Sequence, residues 1–379
     1  MKKILIRVGT GFLNAVYSIM KRRPVKNRIV FISRQSNKPS RDIQRLEAYF
    51  KAQGMETEVL CKMMGGSLAS YAAYIPHMFT QMKYMATSRM VVLDTYCIAA
   101  CLLKHREELL IAQMWHALGS LKKFSLSILD MAGGRDSKTA NIMHMHEQYD
   151  IIFTSSEASR PAFAEAFGYE EEDLTVMSLP RVDVLLDQKC DKINIEKIKK
   201  AYPQAGSGGR KVILYAPTFR KGGDISQQVG QLVDAVDFSK YDLIIKLHPL
   251  DNAPVRTDKA IVDKKFSTMD MLSFCDIVIT DYSAVTYEAA LKEKPLLFYA
   301  FDIDDYVEGR DFYIDYREEI PGPVRTDASE IMELIEEGGW DLDKVRKFAD
   351  KYIEKREHCT EEMGEFLLDR IRQQTGRTI

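Results

Sequence analysis

The sequence predicts an α/β protein of two domains, each a mostly parallel β-sheet flanked by helices. Short apolar segments of strand composition alternate with segments of helical periodicity, the pattern of strand–helix–strand units. The alternation runs in two series, separated at Ser178 to Asp183 by a crossing that contains Pro180. A chain of 379 residues is long enough to bury two cores. The expected divisions are a basic segment over 1–28, a first domain over 29–182 and a second over 183–379.

Residues 1–41 carry eleven Lys and Arg and no Asp or Glu, which leaves 42 basic against 55 acidic side chains in the rest. The formal net charge of −2 therefore hides a basic segment on an acidic body. That asymmetry points to a local anionic partner, not to a nucleic-acid-binding surface. Leu5, Val8, Phe12, Val16 and Ile19 recur at helical spacing, with Lys3, Arg7, Thr10, Asn14, Ser18 and Lys21 on the other side. With Lys21, Arg22, Arg23, Lys26 and Arg28 following, this predicts an interfacial helix on an anionic membrane, Lys21, Arg22 and Arg23 forming the basic anchor. The competing reading is a helix packed on its own domain with a solvated basic face. Gly9 and Gly11 lower helix propensity in water. Arg7, Asn14 and Lys21 interrupt the apolar stretch, and no run of about 20 apolar residues occurs, so neither a signal peptide nor a spanning helix is expected. The expected location is the cytoplasm, peripheral on the inner face of the cell membrane.

Arg28 to Ser33 reads as a buried strand, followed by a helical pattern near Asp42 to Gln53 and a strand near Glu58 to Cys61. Further strands are expected at Met90–Asp94, Leu110–Trp115, Ile151–Thr154 and Leu174–Met177. In the second series they are expected at Lys211–Ala216, Leu243–Leu247, Ile277–Thr280 and Leu296–Tyr299. Helices are expected near Met269–Phe274, Ala284–Lys292 and Ala328–Glu337, and Leu342 to Gln374 has helical composition. Cys61, Cys97, Cys101, Cys190, Cys275 and Cys359 are scattered and read as reduced thiols. Cys97 with Cys101, and His144 with His146, lack further ligands at matching spacing, so no protein-held metal is expected.

Polar clusters follow the predicted strand ends of the second series. They are Pro217-Thr218-Phe219-Arg220, His248-Pro249, Asp281-Tyr282-Ser283 and the Phe-Asp-Ile-Asp-Asp turn from Phe301 to Asp305. Ligands of open parallel sheets bind beyond the carboxyl ends of the strands. Ser283, at a helix start, suits an anion, and Arg220 offers a planar fork for phosphate oxygens. Glu288, five residues on, could accept hydrogen bonds from ribose hydroxyls. A simple helix cap for Ser283 and a solvated position for Glu288 are the plainer readings. In the first series His116 closes an apolar strand and enters the turn Ala117-Leu118-Gly119-Ser120, a suitable place for a general base; a structural histidine is the alternative.

These motifs together are similar to those of the CDP-glycerol glycerophosphotransferase family, the teichoic acid glycerol- and ribitol-phosphate primases and polymerases. The resemblance is carried by Trp115-His116-Ala117-Leu118-Gly119-Ser120-Leu121-Lys122-Lys123, Leu179-Pro180-Arg181-Val182-Asp183, Tyr215-Ala216-Pro217-Thr218-Phe219-Arg220, Lys246-Leu247-His248-Pro249 and Thr280-Asp281-Tyr282-Ser283. Gly309-Arg310-Asp311-Phe312-Tyr313 and Pro321-Gly322-Pro323 follow in family order.

The resemblance implies a GT-B-like arrangement, two Rossmann-like domains facing across a cleft. It implies attack by an acceptor hydroxyl on the β-phosphorus of CDP-glycerol or CDP-ribitol, with release of CMP and a lipid-linked acceptor. His116 matches the family's proposed base and His248 its second essential histidine; Thr218, Arg220, Asp281 and Ser283 match donor-site positions. Many glycerol-phosphate members have a His-Gly-Thr-Pro turn where this chain has His116-Ala117-Leu118-Gly119, which leaves the polyol open between glycerol and ribitol. No tightly bound cofactor and no protein-fixed metal are expected, though dissolved Mg²⁺ could assist the donor. A nucleotide-sugar transferase on the same fold and a non-catalytic membrane-associated scaffold are the alternative functions.

Overall fold

A computed structural model describes residues 2–65, 67–131, 133–220, 224–248, 251, 255, 257–309 and 311–376. Pro249 and Arg310, named in the motifs above, lie outside the described residues, as do the side chains of Lys3 and Leu5. The first sheet contains β1 (Arg28–Ser33), β2 (Glu56–Cys61), β3 (Met90–Leu93), β4 (Leu110–Gln113), β5 (Ile151–Thr154) and β6 (Leu174–Val176). Its order is β2-β1-β3-β4-β5-β6 with every neighbouring pair parallel. The second contains β7 (Lys211–Tyr215), β8 (Tyr241–Ile245), β9 (Ile261–Val262), β10 (Ile277–Thr280), β11 (Leu296–Tyr299) and β12 (Val324–Arg325). Its order is β12-β11-β10-β7-β8-β9, again all parallel.

Strands covered on both faces must be apolar throughout, and β1, β3, β4, β5, β10 and β11 are buried at every residue. Alternate side chains enter different cores. Val30 and Ile32 point into one cluster, while Ile29 and Phe31 join an interior that also holds Leu214, Val278 and Leu296 of the second sheet. The two domains thus share apolar packing, each fully buried side chain contributing about 1.5–3 kcal/mol.

Register aligns the functional ends. Leu297, Ile279, Tyr215 and Ile245 lie in one row across β11, β10, β7 and β8. The segments that follow these strands therefore emerge side by side. In the first sheet, Ile32, Leu93, Gln113 and Ile152 form the corresponding row.

The chain end crosses back. Helix Leu342–Tyr352 packs on helix Val285–Leu291, with Phe348 and Tyr352 against Tyr287. Helix Cys359–Thr375 then lies on helix Arg41–Ala52 of the first domain, so closely that a Cβ on Gly364 would stand 2.3 Å from the Tyr49 ring. Asp183 caps this last helix, accepting from the backbone N–H groups of Cys359 (3.0 Å) and Thr360 (2.8 Å). The Asp183 of the crossing is thereby a structural residue.

The N-terminal helix spans Lys2–Met20. Tyr17 is fully buried and its hydroxyl meets His105 Nδ1 at 2.9 Å; Leu13, Val16 and Met20 pack beside it. The docked face differs from the polar and apolar sides read from the sequence. Asn14 and Lys21 turn inward, because the carbonyl and N–H groups ending helix Ile98–Leu102 need partners: Asn14 Oδ1 accepts from Lys104 N at 2.8 Å and Lys21 Nζ donates to Lys104 O at 2.6 Å. Val8, Phe12 and Ile19 remain 66, 61 and 62 % exposed, with Arg22 and Arg23 exposed beyond them. No described helix is long and apolar enough to cross a membrane.

Candidate active site

His116 stands three residues past the end of β4, and its backbone approach is strained. Trp115 has φ +58°, a left-handed conformation that costs a bulky residue about 1–2 kcal/mol. Gln113 at the strand end stabilises the turn: its Oε1 accepts from Trp115 N at 2.9 Å and its Nε2 donates to Thr95 O at 3.2 Å. The indole stacks on Phe124 and lies 4.1 Å from the His116 ring, centroid to centroid. His146 is buried in the same aromatic cluster, against Trp115, Tyr96, Tyr149 and Phe167, where burial lowers its pKa to about 3.

The hydrogen bonds of His116 fix its tautomer. Nδ1 lies 2.7 Å from the Asp94 carbonyl oxygen, which can only accept, so Nδ1 carries the proton. Nε2 is then the lone-pair nitrogen and accepts from Gln35 Nε2 at 2.9 Å. Burial lowers the His116 pKa to about 4, outweighing the Asp94 carbonyl that raises it. The ring is neutral at pH 7, with its basic nitrogen against the Gln35 amide.

The turn after His116 meets the second domain. A Cβ on Gly119 would stand 2.5 Å from the Tyr287 ring, so glycine is what permits the approach. Lys122 pairs antiparallel with Phe312, Lys123 N donates to Asp311 O at 2.8 Å, and Tyr313 N donates to Leu121 O at 2.9 Å. Lys122 Nζ reaches the Tyr306 hydroxyl at 3.2 Å.

His248 follows β8, exposed and stacked on Phe219 with centroids 5.4 Å apart. Partial removal from water and the charge of Lys122 lower its pKa. It lies near enough to His116 to oppose that ring's protonation. The two histidines expected from the sequence thus follow strand ends in opposite domains.

Two expected donor-site residues are paired with each other. Arg220 donates through Nε and Nη2 to both oxygens of Asp302 (2.6 and 2.8 Å), and through Nη1 to Asp281 Oδ2 and Thr218 O (both 2.8 Å). Its fork is engaged by protein carboxylates. Asp281 is fully buried, and its other oxygen accepts from Thr218 N at 2.8 Å. Arg220 and Asp281 therefore hold the 216–220 turn against the turn after β11. Two further cations of the motifs are neutralised likewise, Lys246 by Asp263 (2.9 Å) and Arg181 by Asp42 and Glu288.

Thr218 Oγ1 and Glu288 Oε2 are buried with no hydrogen-bond partner among the described residues. Ser283 is partly exposed, and its Oγ makes a long 3.4 Å contact with Val285 N just before helix Val285–Leu291. Glu288 is not the solvated residue of the plainer reading: it is buried, which raises its pKa, and Arg181 Nη1 holds Oε1 at 2.9 Å. Asp42, Gln35 and Asp302 were not singled out from the sequence; only Asp302 lay in a flagged cluster. Among the described residues no three His, Cys, Asp or Glu side chains gather as metal ligands.

The sequence matches the CDP-Glycerol:Poly(glycerophosphate) glycerophosphotransferase family over residues 15–362. It is 29% identical to a teichoic acid ribitol-phosphate primase of Bacillus spizizenii, over 97% of this chain and 98% of the relative. It is 28% identical to a teichoic acid glycerol-phosphate primase of Bacillus subtilis, over 73% of this chain and 72% of that one. The fold resembles that of the wall teichoic acid polymerase TagF, with a TM-score of 0.75 and 21% identity over 99% of this chain and 98% of the other. With two parallel sheets across a cleft in the GT-B manner and a family match spanning most of its length, the chain belongs to the CDP-glycerol:poly(glycerophosphate) glycerophosphotransferase family.

Proposed function

We propose that this protein transfers glycerol phosphate or ribitol phosphate from the CDP-activated polyol to a hydroxyl of a lipid-linked acceptor in teichoic acid synthesis, releasing CMP. The observation that carries the reading is His116, neutral, with Nε2 as its proton acceptor, in a cleft shared with His248. In this mechanism the acceptor hydroxyl displaces the Gln35 amide and gives its proton to Nε2. Its oxygen bonds the β-phosphorus while the bond from that phosphorus to the CMP oxygen breaks. The low basicity of His116 suits this order, because negative charge on the arriving diphosphate favours the imidazolium as it forms.

Such transfer depends on positioning and charge stabilisation more than on covalent help from the protein. His248 and the polar end formed by Thr218 and Ser283 receive the phosphates, and Glu288 Oε2 accepts from the ribose. Arg220 and Asp281 shape that surface from beneath. The exposed Val8, Phe12 and Ile19, beside Arg22 and Arg23, support binding to an anionic membrane surface, where a lipid-linked acceptor resides. Lys21, turned onto Lys104, contributes less to that contact than the sequence implies.

The test is incubation with CDP-glycerol or CDP-ribitol and a lipid-linked acceptor, with mass spectrometry of the products. One polyol phosphate added per CMP released is expected. Turnover of a nucleotide sugar and of neither CDP-polyol would contradict the proposal.

A further inference from the structure

The junction between the domains contains a buried cation with two carboxylates, and no step above uses it. Arg181, opening helix Arg181–Leu186, donates to Asp42 from its backbone N (2.7 Å to Oδ1), from Nε (2.9 Å to Oδ2) and from Nη2 (2.6 Å to Oδ2). Nη1 donates to Glu288 Oε1 at 2.9 Å. Asp42 belongs to the first turn of helix Arg41–Ala52 in the first domain, and Glu288 to helix Val285–Leu291 in the second. All three side chains are buried. Asp42 grips the guanidinium on one edge and so fixes its plane; the opposite edge fixes Glu288. One carboxylate oxygen of Glu288 is thus tied, while Oε2 stays buried without a partner among the described residues. A buried acceptor in that state is costly until a donor arrives, so it marks where a ligand hydroxyl completes the site.

We infer that Asp42 and Arg181 are positioning residues for the nucleoside of the donor. Neither touches it; together they orient Glu288 so that Oε2 accepts from a ribose hydroxyl. The donor site of the second domain is then completed by a side chain of the first, and donor affinity depends on how the domains are seated. This rests on the reading of Glu288 given above. A neighbouring ion pair supplies a control: the Arg41 guanidinium also crosses to the second domain, its Nη2 donating to Asp270 Oδ1 at 3.1 Å.

The experiment is calorimetric titration of the full chain with CDP and with 2′,3′-dideoxy-CDP, taking the ratio of the two affinities within each variant. Loss of a general structural role weakens both nucleotides alike and leaves the ratio unchanged. The parent should prefer CDP by about 10-fold or more, the effect of one or two hydrogen bonds to a charged acceptor. That ratio should fall toward one in Asp42→Asn, Arg181→Lys and Glu288→Gln, and stay at the parent value in Arg41→Ala. If Asp42→Asn does not fold, Arg181→Lys, which keeps the charge and loses the fork, decides the matter. Loss of the ratio in Glu288→Gln with its retention in folded Asp42→Asn or Arg181→Lys would overturn the inference alone. No ribose preference in the parent, or an unchanged ratio in Glu288→Gln, would overturn the reading of Glu288, and the inference with it.

Discussion

On the first domain's rim, His116 keeps its basic nitrogen against the Gln35 amide. On the second domain's rim, Arg220, Asp281, Asp302, Lys246 and Asp263 close on one another. One rim holds a reactive atom in a strained, aromatic-lined turn; the other carries an ion-pair lattice whose charges serve its own loops. The difference teaches that a charged residue at a strand end is not thereby a ligand-binding residue. Thr218 Oγ1 and Glu288 Oε2 are among the buried atoms without partners among the described residues, and the His116 lone pair meets the Gln35 amide.

The largest expected departure from the sequence reading lies at Arg220. Breaking a buried ion pair by removing one partner costs about 3–5 kcal/mol, since the other charge is left uncompensated. Arg220→Ala should lose stability on that scale in denaturant unfolding, because Asp281 and Asp302 would then face each other unpaired. A variant as stable as the parent yet unable to bind donor would return Arg220 to direct phosphate binding.

Gly119 tests how tightly the rims approach. A methyl group there meets the Tyr287 ring at 2.5 Å, and overpacking of this kind costs about 1–3 kcal/mol. Gly119→Ala should lower turnover and the thermal midpoint together. Unchanged turnover would mean that the cleft tolerates a wider separation.

The fold was legible where hydrophobic pattern decides it. β1, β5, β10 and β11 lie at the residues their apolar runs predict. β9 and β12, of two residues each, carry no periodicity and escaped notice. β8 begins at Tyr241 and ends at Ile245, two residues earlier at each end than expected, because Lys246 and Leu247 already belong to the turn that brings Lys246 to Asp263. In the candidate site, the positions of the two histidines just past β4 and β8 were legible. Which cations are neutralised was not: Asp302 lies 82 residues from Arg220, and Asp42 lies 139 from Arg181. Pairing at that range is a property of the folded chain that local composition does not carry.

The N-terminal helix sharpens the contrast from outside the cleft, since its exposed cations face solvent while those of the second rim are paired. Each basic residue near an anionic membrane contributes about 1 kcal/mol. Replacing Arg22 and Arg23 with Gln should cut partition onto anionic liposomes in flotation by roughly 30-fold, equivalent to about 2 kcal/mol, and added salt should act in the same direction. Equal recovery of both proteins would remove this cluster as the anchor. The smallest effect is expected at Thr218. Thr218→Val keeps the shape and removes the unpartnered hydroxyl, so CDP-polyol affinity should weaken by about 1 kcal/mol with stability unchanged. Unaltered affinity in calorimetry would take Thr218 out of the donor site.

The central claim is that chemistry belongs to His116 and donor binding to the opposite rim. The most direct measurement combines CMP release and donor calorimetry on His116→Ala, with circular dichroism confirming the fold. General-base catalysis is worth about 10²–10⁴-fold, so turnover should fall by that factor while CDP-polyol affinity stays at the parent value. Turnover near the parent rate in a folded variant saturated with donor would contradict the account.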